Sequence, residues 1–133
     1  MPHINWLAVV TAAVSTFLLG GVWYSKLMFG PAWMAANNLH EADLAKSSMG
    51  KIFGLSFLFA LVMAANLASF LAEPKTTASW GATAGFLAGF GWVALGIATI
   101  ALFERRSWKY IAINGGYMTV SFVMMGLILG AWR

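Results

Sequence analysis

Charge is what this 133-residue sequence has least of: 9% of its residues are charged and 61% are hydrophobic. Soluble domains carry about a quarter charged residues, so a water-soluble fold is excluded and a single membrane domain, 1–133, is expected. Cysteine is absent, which removes both a disulfide framework and any thiolate metal site. The long apolar runs contain no Asp, Glu, Lys, Arg or His between their boundaries. An ionisable group at membrane depth is the usual mark of an ion or proton path, and its absence counts against a secondary transporter of the small multidrug type.

What is present is four apolar runs, read as spans over about 4–22, 52–72, 80–102 and 110–132. The first follows Met1-Pro2-His3, which carries no Lys or Arg, and exceeds a signal-peptide core in length, so it reads as a retained helix. Residues 25–51 form a polar loop with two expected short helices. One opens at Gly30-Pro31 and runs to Asn37, with Trp33 and Met34 resting on the bilayer; the other opens at an Asn38/Glu41 capping box and runs through Leu44 to Lys46. Glu73-Pro74-Lys75 closes the second span, and its short connection predicts that the second and third helices form a hairpin. Phe103 to Lys109 joins the last two in the same way. The expected fold is an all-α membrane protein, four transmembrane helices as two antiparallel hairpins, with short amphipathic helices in the first cytoplasmic loop.

The side of the membrane follows from Lys and Arg. Lys26, Lys46, Lys51, Arg105, Arg106 and Lys109 lie in the first and third connections, against Lys75 and Arg133 on the other side. The positive-inside rule places the first group in the cytoplasm and both termini outside. That distribution accounts for the net charge of +4 as a topology signal, with no nucleic-acid partner implied.

Small residues recur at helical spacing in every span, and in lipid such residues let backbones approach. They are Ala8, Ala12, Thr16 and Gly20 in the first; Ser56, Ala60, Ala64 and Ala68 in the second; Gly81, Gly85, Gly89 and Gly96 in the third; and Gly126 and Gly130 in the fourth. The third set is read as a glycine-lined groove holding the ring of Trp92. With the fourth helix, it reads either as packing within one chain or as a contact with a second copy in a homo-oligomer or with lipid.

Polar residues within the spans are few. Asn66, Asn114, Tyr117 and Ser121 are the candidates for a polar lining, with interhelical hydrogen bonding as the plainer use of the same groups. Arg105, Arg106, Trp108 and Lys109 form a basic and aromatic cluster suited to an anionic lipid head group. His40 and Asp43 do not make a metal site, since the other histidine, His3, lies across the membrane. Ser25-Lys26 has no oxyanion hole nearby. No catalytic, cofactor-binding or metal residue is assigned.

A set of short motifs runs through the whole chain: Asn5-Trp6, Gly21-Val22-Trp23-Tyr24-Ser25, Phe29-Gly30-Pro31-Ala32-Trp33, Phe103-Glu104-Arg105-Arg106, Gly116-Tyr117, Gly126 and Trp132. Together they resemble a family of bacterial integral membrane proteins with four transmembrane helices, catalogued only as a domain of unknown function. The resemblance implies the fold and a bacterial inner membrane, and brings no activity or cofactor. The leading reading is a non-enzymatic packed bundle that binds membrane lipid, a partner or itself. A passive small-solute channel or transporter subunit is the alternative. An enzyme like the glutathione-using four-helix membrane proteins is disfavoured, because those hold charged groups inside the bundle.

Overall fold

The computed structural model describes residues 4–40, 42–43 and 48–132. The helices are α1 (Trp6–Trp23), α2 (Gly30–Ala36), α3 (Met49–Leu71), α4 (Ala78–Ala88), a π-helical turn (Gly89–Ala94), α5 (Leu95–Phe103) and α6 (Trp108–Ala131). α4, the π turn and α5 run on as one span, Ala78–Phe103. With α1, α3 and α6 it makes four helices long and apolar enough to cross a membrane. The protein is therefore a multi-pass, all-helical membrane protein.

Side-chain caps set where these helices begin. Asn5 accepts from the backbone N–H groups of Leu7 and Ala8, Thr77 from that of Trp80, and Ser107 from that of Tyr110. The third and fourth spans consequently start two residues before the first large apolar side chain of the run read from hydropathy. α3 starts at Met49, so the glycine and lysine before Ile52 belong to its first turn.

α6 is the hub. One side packs on α4 and the π turn, the other on α1 and α3, and α1 packs on α3. The apolar core is built from Ala8, Val9, Ala12 and Ala13 of α1, five residues of α3 from Ala60 to Leu71, and Phe122, Met125 and Leu129 of α6. The expected hairpin of second and third helices does not form: α3 and α4 make no contact comparable to these, although only residues 72–77 separate them. In lipid, helices adhere where small residues allow close approach, and the small face of α4 is spent on α6.

That face brings backbone against backbone. A Cβ at Gly85 would overlap the carbonyl oxygen of Phe122, and one at Gly81 would overlap that of Gly126, while Gly130 lies against Thr77. Gly89 sits on Phe122, with Met118 and Thr119 alongside. Two residues expected in this groove are not in it. Gly96 has open space where a side chain would go, and Trp92 is 73% exposed. The π turn is the reason, because it inserts one residue into the α-helical count and rotates everything after it by about 100°. The face continues instead through buried Ala94, half-buried Ile97 and Ala98, and buried Ala101, and Gly115 of α6 meets Ala94. The glycines thus serve a contact within the chain.

In the polar loop, α2 forms with Pro31 in its first turn. Asn38 does not open the next helix. Its φ of 55° places it just past the end of α2, where Leu39 N–H bonds back to Met34 O at 2.8 Å. The reciprocal cap falls two residues later, with Asp43 Oδ2 accepting from His40 N–H at 3.0 Å. Glu41 and the segment from Leu44 to Lys46 lie outside the described residues.

Candidate functional site: a cavity at mid-membrane

The site is built from the end of α1. After Trp23 the chain turns back on itself, with Phe29 N–H donating to Trp23 O and Gly30 N–H to Ser25 O, each at 2.9 Å. Gly30 is required here because a Cβ would stand 2.5 Å from Tyr24 O. The turn sets Phe29 against Trp23 in a tilted pair, ring centroids 4.7 Å apart, and Trp33 edge-on to Tyr24 at 5.5 Å. Thus the Gly-Val-Trp-Tyr-Ser and Phe-Gly-Pro-Ala-Trp motifs fold into one elbow.

The elbow fastens α1 to α6. Trp23 Nε1 donates to Ile113 O at 3.0 Å, and the Tyr24 hydroxyl donates to Asn114 Oδ1 at 2.6 Å. Burial, with Tyr117 and Tyr110 nearby, pushes the Tyr24 phenol above its ordinary range, so it keeps the proton it donates. The Tyr117 hydroxyl reaches across to Thr16 O at 3.0 Å, and its ring meets those of Trp23 and Tyr24. Two of the four expected lining residues, Asn114 and Tyr117, thereby commit a side-chain oxygen each to holding α1 and its elbow on α6.

Above Tyr117 the packing opens into a cavity of about 200 Å³ between α1, α3 and α6. Thr16, Phe17, Ser56, Phe59, Ala60, Met63, Tyr117, Met118, Ser121 and Met125 line it. Ser121 is 1% exposed, and its hydroxyl has no hydrogen-bond partner among the described residues. The neighbouring Tyr117 phenol donates to Thr16 O and leaves the Ser121 hydroxyl without a bond. Phe17, Ser56 and Phe59 are exposed as well as lining, so the mouth opens sideways, toward the lipid, between α1 and α3.

The hydroxyls elsewhere in the spans show how unusual this is. Beyond the first helical turn, Thr11, Ser69, Thr83, Thr99 and Thr119 bond the carbonyl four residues back, and Ser15 and Thr16 the one three back. Such bonds are the ordinary resort of a hydroxyl in an apolar medium. Among the described residues Ser56 and Ser121 stand apart from them with no hydrogen bond, and both line the cavity. Sequence reasoning put Ser121 on a polar face but read Ser56 as a packing residue. The only signal for Ser56 was its chemistry, since spacing placed it in line with Ala60, Ala64 and Ala68.

The remaining expected residues fall elsewhere. Asn66 is exposed on the outer face of α3, away from the cavity. At the elbow end of the bundle, Arg106 Nη1 donates to Asn37 Oδ1 at 3.4 Å and its guanidinium lies 5.0 Å from the Tyr110 ring centroid, tying the end of α2 to the loop before α6. Arg105, Trp108 and Lys109 are exposed beside it. Among the described residues no group of three His, Asp or Glu is placed to hold a metal ion. Neither a curated protein nor a solved structure matches the chain. Residues 7–130, which take in the elbow, the cavity and all but the first residue of α1 and the last of α6, match the family described as "Protein of unknown function (DUF1761)", and the chain belongs to that family.

Proposed function

We propose that this protein is a non-enzymatic membrane bundle that binds a small, neutral, lipid-soluble molecule in the cavity between α1, α3 and α6. The observation that carries the reading is the pairing of an apolar space with two uncommitted hydroxyls, Ser56 and Ser121. A wholly apolar cavity of roughly 150 Å³ is enough to hold benzene, so a space of this size takes a short chain or a single ring. A buried hydroxyl without a partner costs about 1–3 kcal/mol, and a ligand oxygen that accepts from it recovers most of that. The ligand is therefore an apolar molecule with one ketone, ester or ether oxygen, entering from the bilayer. The basic end of the bundle lies in the cytoplasm and the termini outside, by the same distribution of Lys and Arg, in a bacterial inner membrane. Against a permeation path stands the commitment of Asn114 and Tyr117 to Tyr24 and Thr16, which leaves no continuous polar face along α6.

The test uses 2-octanone and nonane, of similar bulk, titrated into the protein in lipid nanodiscs and followed by the chemical shifts of methyl-labelled Met118 and Met125. The wild type binds the ketone about tenfold more tightly, the worth of one hydrogen bond, and Ser121→Ala erases that preference while leaving nonane unchanged. Equal binding of both probes by both proteins, or no binding at all, overturns the reading.

A further inference from the structure

We infer that α3 carries a self-association seam and that two copies of this chain pair through it in the membrane, with Asn66 against Asn66. The inference does not depend on a ligand in the cavity, although Phe59 borders both surfaces. Along the exposed side of α3 run Ile52, Leu55, Phe59, Val62, Asn66 and Ser69, with Phe59 at the edge that also borders the cavity mouth. Their spacing alternates three and four residues over almost three heptads, the a and d pattern of two helices wound on each other. Asn66 falls at an a position, where a single asparagine fixes register and oligomeric state.

Its depth makes that amide a demand for a partner. α3 has 23 residues, and Asn66 lies about 9 Å from its midpoint, inside a hydrocarbon core of about 30 Å. Side chains lean toward a helix's N-terminus, which points Asn66 toward the bilayer centre and away from the nearer surface. Among the described residues its amide is unpaired. Within one chain the neighbouring Ser69 hydroxyl is spent on Ala65 O. An amide is self-complementary, donor and acceptor together, so a two-fold axis beside Asn66 satisfies both copies at once. All copies insert with one orientation, so the two α3 helices meet parallel, as the heptad requires. The glycine face cannot serve instead, because α4 and α6 consume it.

The absence of native cysteine makes the test direct. The full chain, carrying Val62→Cys or Ser69→Cys, is oxidised in lipid vesicles at high dilution, with Leu87→Cys on the outer face of α4 as the control. Disulfide dimers form at positions 62 and 69 and not at 87. In parallel, single-molecule photobleaching in vesicles gives the dimer fraction: Asn66→Leu lowers the association constant roughly threefold to thirtyfold, and Asn66→Gln restores most of it. Thermal unfolding of the monomer is unchanged in both, since Asn66 is outside the core. Cross-linking at 62 and 69 no greater than at 87, or association unaffected by Asn66→Leu, overturns the inference.

Discussion

The two sides of α6 solve the same problem in opposite ways. Toward α4 the contact is dry and backbone to backbone, with Gly81, Gly85, Gly126 and Gly130 leaving no room for a methyl group. Toward α1 and α3 the contact is made by side chains, with Tyr117 tied to Thr16 below and a cavity of about 200 Å³ above it. In lipid there is no hydrophobic drive between helices, so a dry face needs fit, while a face that leaves space open must gain something from it. The difference teaches that the second half of the chain fixes the frame and that adaptability lies between the first two spans and α6.

The comparison breaks most readily at the dry face. Gly85→Leu destabilises the bundle by about 3 kcal/mol or prevents folding, whereas Gly96→Leu, one π turn further on, is neutral within about 0.5 kcal/mol. Steric trapping in bicelles measures both; equal effects would mean that the π turn does not separate the faces. At the open face the corresponding enlargement is tolerated. Ala60→Leu projects into the cavity, changes stability by less than about 1.5 kcal/mol, and weakens 2-octanone binding at least tenfold. A loss as large as that of Gly85→Leu would show that the cavity has no room to accept it. The smallest effect belongs to the elbow. Tyr24→Phe removes the bond to Asn114 and costs about 0.6 kcal/mol, the average for a hydrogen bond between membrane helices, with no change in cavity binding. A shift in 2-octanone affinity of more than threefold would instead couple the elbow to the cavity.

Much of the fold is legible in the residues, because lipid as solvent leaves few options: long charge-free runs become helices, and small residues become contacts. Gly81 and Gly85 could be read that way. Trp92 and Gly96 could not, since a π turn has no sequence signature here and shifts the face without changing composition. The hairpin expected of α3 and α4 failed for a related reason, as a short connection constrains the ends of two helices but not which faces meet. Of the cavity, Ser121 was visible as one member of a polar face on α6. Ser56 was not, because its meaning lies in the missing bond to its own backbone, which appears only in three dimensions. Asn66 was grouped with the α6 residues by chemistry alone, and the structure puts it on the opposite side of α3.

The π turn also bears on how this chain tolerates length changes. A residue lost from an ordinary membrane helix throws all later side chains out of phase with their partners. Between Gly89 and Ala94 the reverse holds: the span already carries one residue more than its contacts need, and a side chain at Gly91 would meet no neighbouring helix. Deleting Gly91 would relax the wide turn into regular α-helix and leave Ala94, Ile97 and Ala101 in step with α6. Among the described helices the third span is thus the one that can shorten and keep its alignment, and a folded Gly91 deletion beside an unfolded Ile97 deletion would record that slack.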